Sequence, residues 1–369
     1  MIQACNDIQL ITGAYREPGM IANQSRGKRA RVTLLEIAKA ANVSKSTVSL
    51  VLNDSPNVIP ISDVTRRRVV ETAKRLGYRP NAAAKALATG RSQTILMVAF
   101  DLWDENLVER LRGIEAFLVP AGYSIRMCTM DSTGGLGAYA ELLRSGQADG
   151  IILSGMSTRD THSMLRDLVA EAREADTPFV ALADAFPREY VEVVADIDDE
   201  RGAEDAVRHL IDHGHRRIVL LGVRDQNWAV KREKGYRAAM RKAGIEVDPA
   251  LVILGDRSQT WAYNTTLKLC KSLDFTAMFA VTDNMAVAAM SALHVSGKKV
   301  PDECAIIGFD NNEKVAKYTA PPLTTVDNPF YETGRRAAEM LISMIKKRPV
   351  ESKPLPLSLV VRQSCGCKG

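Results

Sequence analysis

Residues 94 to 309 alternate between short apolar runs and longer amphipathic stretches, and this alternation constrains the fold more than any other feature. The runs are Thr94 to Phe100, Tyr123 to Thr129, Gly150 to Ser154, Phe179 to Ala183, Arg217 to Gly222, Ala277 to Thr282 and Ala305 to Phe309. They are too short for buried helices and suit strands covered on both faces. Segments with helical character, such as Leu107 to Leu118, Asp198 to Gly214 and Lys231 to Gly244, separate them. Strands separated by helices pair in parallel, with helices packed on both sides of the sheet. At 369 residues and 46% apolar, the chain has enough material for one large core or two adjoining ones. The expectation is a two-lobed α/β domain over residues 93–369, binding a ligand at the carboxyl ends of its strands in a cleft between lobes.

The N-terminal segment has a different texture. Residues 33–53, TLLEIAKAANVSKSTVSLVLN, read as a helix, a tight turn and a second helix. Thr33 and Glu36 have the spacing of a capping box, and Ile37, Ala38 and Ala41 form one apolar face. Asn42 stands where the chain reverses, since Asn tolerates left-handed backbone, and Ser44 is placed to cap the second helix. Val48, Val51 and Leu52 turn inward, which leaves Lys45, Ser46, Ser49 and Leu50 outward. This is the outline of a helix-turn-helix, whose second helix offers its first outward residues to base edges in the major groove. A solvated helical hairpin has the same periodicity.

Ser62 to Leu76 continues as a third helix with Val64, Val69, Ala73 and Leu76 apolar, followed by Gly77-Tyr78-Arg79-Pro80-Asn81 and an Ala-rich run ending at Leu87-Ala88. The spaced motifs T-L-x-E-I-A, A-N-V-S, T-V-S, V-L-N, T-R-x-R-V, L-G-Y-x-P-N and A-x-x-L resemble the start of lactose-repressor and galactose-repressor family transcriptional regulators. The resemblance implies base reading by Lys45, Ser46 and Leu50, with Ser44, Thr47, Ser49 and Asn53 at backbone or nearby base contacts. It assigns Asn81 to Leu87, including Ala84, to a hinge helix that folds on the operator and pairs with its dimer mate in the minor groove. By the same resemblance, Leu87 matches the wedge that opens a central base step. Seven residues are too few for a stable isolated helix, which suits folding coupled to DNA. The implied organisation is an N-terminal extension over 1–30, expected to be disordered, a DNA-binding domain over 31–78, a hinge over 79–92 and the sensor beyond. Two departures bear on the target: Leu50 replaces the Arg or other polar reader of many relatives, and the DSPNVIPISDV loop after Asn53 is longer than in the lactose repressor. A Leu reader suits a thymine methyl better than a guanine.

The charge distribution agrees with this division. The chain carries +5 overall, yet the basic excess lies in the first 92 residues and the remainder is net acidic. A basic head attracts phosphates and predicts salt-sensitive DNA binding.

The body resembles the same family's sensor, itself similar to periplasmic sugar-binding proteins. The matching runs include Arg112-Gly113-Ile114-Glu115, Ala148-Asp149-Gly150-Ile151-Ile152, Gly214-His215-Arg216-Arg217-Ile218, Gly235-Tyr236-Arg237, Gly308-Phe309-Asp310, Pro321-Pro322-Leu323-Thr324-Thr325-Val326 and Leu359-Val360-Val361-Arg362. Three crossings between lobes are implied, near 196–199, 323–328 and 336–340. Carried over by position, Arg232, Thr282, Asp310 and Phe330 are effector-pocket residues, and Asp101, Asp184 and Arg257 line the pocket nearby. The chemistry is suitable: a carboxylate accepts from vicinal hydroxyls, a guanidinium donates a fork of bonds, and an aromatic ring supplies a flat wall. Thr282 replaces a frequent Asn, and Arg257 stands where an aromatic often stacks on a sugar. Arg232 and Arg257 together predict an anionic or strongly polar sugar derivative.

Other signals are set aside. Gly135-Leu136-Gly137-Ala138-Tyr139-Ala140 fits a dinucleotide fingerprint in the wrong place and is expected to be a turn. His209-x3-His213 suits a solvated helix face, and Cys365-Gly366-Cys367 supplies only two ligands, so no metal and no cofactor is expected. The scattered cysteines read as reduced cytoplasmic thiols, and no apolar run has membrane-spanning length. The resulting expectation is a homodimeric repressor of the cytoplasmic nucleoid, with operator DNA and a small effector as partners. The alternative is a carbohydrate-binding protein or metabolic enzyme with an incidental basic head. No nucleophile, base and oxyanion set can be assembled in support of catalysis.

Overall fold

A computed structural model describes residues 32–52, 61–79, 86, 90–99, 106–129, 135–155, 162–182 and 193–367. The chain divides into two compact units with the boundary after residue 81.

The first unit is built from α1 (Leu34–Ala41), α2 (Lys45–Leu52) and α3 (Asp63–Arg75). The capping box at its start is formed: the Thr33 amide donates to the Glu36 carboxylate at 2.6 Å, and the Glu36 amide donates to the Thr33 hydroxyl at 3.4 Å. Asn42 takes the left-handed conformation, φ 50° and ψ 54°, and reverses the chain. Ser44 Oγ accepts from the Thr47 amide at 3.0 Å and so caps α2. Ile37, Ala38, Ala41, Val48, Val51, Val69 and Ala73 make the core. Two residues expected on the apolar face of α3 depart from it. Val64 is 68% exposed, because five residues of helix rotate it about 140° away from Val69. Leu76 is exposed as well, lying at the C-cap beyond the last packed turn.

The second unit has two sheets. The first contains β1 (Thr94–Ala99), β2 (Ser124–Thr129), β3 (Gly150–Ser154), β4 (Phe179–Leu182) and β5 (Val194–Ala195), all parallel in the order β2-β1-β3-β4-β5. It packs with α4 (Leu107–Leu118), α5 (Gly135–Arg144) and α6 (His162–Glu174). Alternate side chains face opposite ways. Leu96, Val98, Ile151 and Leu153 meet Leu165 and Leu168 on one face, while Ile95, Met97 and Ile152 meet Ile114 and Leu118 on the other.

The second lobe begins at α7 (Asp199–Asp212) and continues through β6 (Ile218–Val223), α8 (Asn227–Lys242), β7 (Val252–Gly255), α9 (Gln259–Ser272), β8 (Ala277–Ala280), α10 (Asp283–Val295), β9 (Ala305–Asp310), α11 (Glu313–Ala316) and β10 (Thr324–Asp327). After α12 (Phe330–Ile345), β11 (Ser358–Val360) completes the sheet, whose order is β11-β10-β9-β8-β6-β7. Only the β10–β11 pair is antiparallel. All seven expected strands are present. β5, β7, β10 and β11 were not singled out in the sequence; β5 and β11 are only two and three residues long, and β10 reads as polar Thr-Thr-Val-Asp although Thr324 and Thr325 are fully buried.

Helix α12 belongs to the first lobe, where Ala337, Ala338, Met340, Leu341 and Ile342 join the core. Its close approach to α4 depends on two glycines. A Cβ on Gly113 would overlap the Tyr331 carbonyl, and one on Gly334 would overlap the Arg110 carbonyl. The chain therefore crosses between lobes at 195–199, at 327–330 and at 345–358. The third crossing was expected near 336–340, but those residues lie inside α12, whose apolar stripe runs on into the first lobe. The first and third crossings lie side by side: Leu355 donates its amide to the Asp196 carbonyl at 2.9 Å, and the Asp198 amide donates to the Leu355 carbonyl at 3.0 Å. The Gly135 to Ala140 run, expected to be a turn, opens α5, where the Tyr139 hydroxyl donates to the Thr129 carbonyl at 2.7 Å. Among the described residues, no helix is long and apolar enough to cross a membrane.

Candidate functional site

A cleft opens between the two lobes, lined by side chains from both. Asn106, Arg110, Leu182 and Phe330 line it from the first lobe; Asp199, Trp228, Arg232, Arg257, Thr282 and Asp310 line it from the second; Ile197 and Asn328 line it from the crossings. Five expected pocket residues, Arg232, Arg257, Thr282, Asp310 and Phe330, are therefore brought together. Asp101 and Asp184 lie outside the described residues.

Arg232 is the hub. It projects from α8 and is 4% exposed, so each of its N–H groups needs a partner. Nε donates to Asp199 Oδ1 at 2.7 Å, Nη1 to the Val281 carbonyl at 2.6 Å, and Nη2 pairs with Asp310 Oδ1 at 3.2 Å. Its guanidinium also stacks over the Phe309 ring at 3.5 Å and stands 4.7 Å from the Trp228 ring centroid. Burial pushes the Asp199 carboxyl up to about 6, against the opposing pull of the Arg232 charge. Among the described residues, no donor reaches the buried Asp199 Oδ2.

The Gly308-Phe309-Asp310 sequence has a physical reason at each position. At Gly308 a Cβ would overlap Asp283 Oδ1, and Phe309 supplies the face under Arg232. Asp310 ends β9 at φ 110°, a conformation that non-glycine residues rarely adopt, and Asn328 Nδ2 also donates to its Oδ1 at 3.2 Å. Beneath it, Asp283 accepts from the Thr325 hydroxyl and from the Asn312 amide at 2.7 Å. Burial, and then the Asp310 charge, push the Asp283 carboxyl up to about 8.

Thr282 has a second task besides lining the cleft, because its hydroxyl caps α10 by accepting from the Met285 amide at 3.3 Å. Phe330, 8% exposed, lies 4.9 Å under the Arg110 guanidinium. Sequence reasoning missed Asp199, Trp228, Asn106, Arg110 and Asn328. Trp228 had a legible signal, since it precedes Arg232 by four residues and so shares its helix face. Asp199 was hidden in the acidic run Asp196 to Glu200, which reads as an ordinary helix start.

In the first unit, Ser44, Lys45 and Ser46 are exposed at the start of α2, and Thr47, Ser49 and Leu50 are partly exposed. Asn53, Asn81, Ala84 and Leu87 lie outside the described residues. Away from the cleft, His209, His213, Cys365 and Cys367, dismissed in the sequence as unrelated pairs, come together. The reason is topological: β11 carries the C-terminal segment back beside α7.

A three-helix unit with a capped, outward-facing second helix, followed by a two-lobed parallel α/β unit with a polar cleft, defines a ligand-responsive DNA-binding protein. Residues 33–81 match the bacterial regulatory proteins of the lacI family, and residues 207–365 match a periplasmic binding protein-like domain. The HTH-type transcriptional regulator DegA of Bacillus subtilis is 34% identical over 339 residues, 90% of this chain and 98% of that protein. Among solved structures, a transcriptional regulator CelR–cellobiose complex is 30% identical with TM-score 0.66, covering 90% of this chain and all of that one. A lac repressor dimer bound to operator and the anti-inducer ONPF is 25% identical with TM-score 0.74, covering 91% of this chain and 99% of that one. The chain belongs to the lacI family of bacterial regulatory proteins. It is a DNA-binding transcriptional regulator, and its relatives are regulators of transcription rather than enzymes.

Proposed function

We propose that this protein is a homodimeric repressor in the cytoplasm, without catalytic activity, whose grip on a pseudo-palindromic operator is set by a hydroxylated metabolite held in the cleft. Lys45, Ser46 and Leu50 read bases, with Ser44, Thr47, Ser49 and Asn53 as neighbouring contacts and Asn81, Ala84 and Leu87 acting in the minor groove. The observation that carries the effector reading is the Arg232 hub, which, held from behind by the buried Asp199, fixes the partly exposed Asp310 as a hydrogen-bond acceptor beside the flat face of Phe330. Carboxylates of this kind accept from ring hydroxyls, and an aromatic face covers the apolar side of a sugar ring.

The cleft also refines the ligand class. The anionic preference inferred from Arg232 and Arg257 loses its first member, because Arg232 is already engaged by Asp199 and Asp310. We therefore favour a neutral sugar, with Asp310 as acceptor and Thr282, Arg257 and Phe330 completing the lining. A ligand contacting both lobes binds one lobe arrangement better than another, and only that difference can change operator affinity. Thermal-shift and calorimetric screening of neutral mono- and disaccharides against sugar acids and sugar phosphates tests the class. Gel shifts on the promoters of the protein's own and adjacent genes, with and without hits, test the regulation. Stabilisation by anionic sugars alone would overturn the neutral assignment, and no specific promoter binding under any condition would overturn the regulator.

A further inference from the structure

The thiol–imidazole cluster in the second lobe is independent of the cleft. His209 in the last turn of α7 and His213 at its C-cap stand ten or more residues beyond Asp199, about 15 Å or more along the helix. Cys365 and Cys367 follow β11. His209 Nε2 lies 3.4 Å from Cys365 Sγ and 3.2 Å from Cys367 Sγ, and His213 Nε2 lies 3.1 Å from Cys367 Sγ. The ligand atoms of His209, His213 and Cys367 all lie within 4.8 Å of one another. In a tetrahedral zinc site with ordinary Zn–S and Zn–N bonds, the S···N edge is about 3.6 Å. The three S···N separations come within a few tenths of an ångström of that edge, while Cys365 stands outside the mutually close group of His209, His213 and Cys367 and takes the fourth position only by swinging its Sγ toward His213.

The surroundings support ligation. His213 Nδ1 donates to the His209 carbonyl at 2.7 Å, which fixes the tautomer and leaves Nε2 with its lone pair free to coordinate. Thr324 Oγ1 donates to Cys365 Sγ at 3.2 Å, the outer hydrogen bond expected beside a bound thiolate. The backbone just ahead is pinned: Ser364 Oγ donates to the Ile306 carbonyl at 2.7 Å and accepts from the Thr324 amide at 2.8 Å. Gly366, at φ 86°, turns the chain between the two cysteines. Both cysteines are free thiols.

We propose that His209, His213, Cys365 and Cys367 bind one zinc ion, which fastens the C-terminal segment to α7. Two imidazoles and two thiolates fill all four tetrahedral positions, so the site is structural rather than catalytic. Binding breaks two S–H bonds, forms two Zn–S bonds and releases two protons. The ion binds the folded arrangement and therefore stabilises it.

The test uses the full-length protein, purified with reductant, stripped by a chelator and titrated with cobalt(II), then zinc. One equivalent of cobalt should produce the intense visible bands of a tetrahedral thiolate site, and zinc should displace it with a rise in Tm. His213→Ala/Cys367→Ser removes two ligands at exposed or half-buried positions; it should abolish the bands and the zinc-dependent rise while melting, in chelator, where the stripped wild type melts. Bands that persist at one equivalent in the double variant would overturn the proposal. So would a reduced wild type that gives no bands and no zinc-dependent rise, or mass spectrometry showing a Cys365–Cys367 disulfide that, once reduced, still takes up no metal.

Discussion

Replacing Arg232 with Met is the most direct test of the cleft's architecture. The change keeps apolar bulk against Phe309 and Trp228 but removes the donors to Asp199, Asp310 and the Val281 carbonyl. Asp199 is fully buried and Asp310 nearly so, with side-chain exposures of 0% and 13%, so neither charge can turn to solvent for compensation. Breaking a buried pair in this way costs about 3–5 kcal/mol, because the charge left behind stays desolvated. For a unit of this size that lowers Tm by roughly 10 °C. Asp199→Asn in the Arg232→Met background removes one of the stranded charges and should recover part of the loss, a coupling of about 2 kcal/mol in a double-mutant cycle. Equilibrium urea unfolding of the full chain, followed by tryptophan fluorescence, measures all four variants. If Arg232→Met cost less than about 1 kcal/mol, or if the two substitutions were simply additive, the buried hub would not hold the cleft as described.

Asp283, raised to about 8, contributes stability that is complete below the unfolded carboxylate range near 4 and is lost as pH rises through 8. Asp283→Asn should therefore lessen the decline of Tm between pH 6 and 9; an unchanged slope would contradict the raised carboxyl. Gly308→Ala should cost about 1–3 kcal/mol, since the new Cβ meets Asp283 Oδ1 and Leu323 with little room to move, and a wild-type unfolding midpoint would refute that packing. Leu87→Ala should weaken specific operator binding at matched salt while leaving sugar binding intact, which gel shifts and calorimetry together decide.

What was legible in the sequence was local chemistry. The Thr33–Glu36 box, the left-handed Asn42 and the Ser44 cap each depend on neighbours within four residues, and each formed as read. Most strands with an unbroken apolar run were equally plain, although Val252–Gly255 was passed over. β10 was not, because its threonines are buried through hydrogen bonds to Asp283 and the C-terminal segment, partners some forty residues away. The same distance in sequence hid Asp199, whose role depends on Arg232 thirty-three residues later, and divided His209 and His213 from the cysteines more than 150 residues beyond. Pairs set by the crossings of the chain leave no periodic trace in the sequence. The third crossing was misplaced for a related reason: α12 is amphipathic throughout, and nothing within the helix says which lobe its apolar face will meet.

Because α12 supplies part of the first lobe's core, that lobe cannot finish folding as synthesis proceeds from residue 90 through β5. Ile114, Leu118 and their neighbours remain without their cover until residues 330–345 leave the ribosome, long after the helical head has emerged and closed its own small core. A nascent chain interrupted anywhere before that point would carry a finished head without a finished sensor, and its exposed apolar face would mark it for chaperones and proteases. The order of elements thus ties the arrival of the DNA-reading head to the completion of the part that governs it.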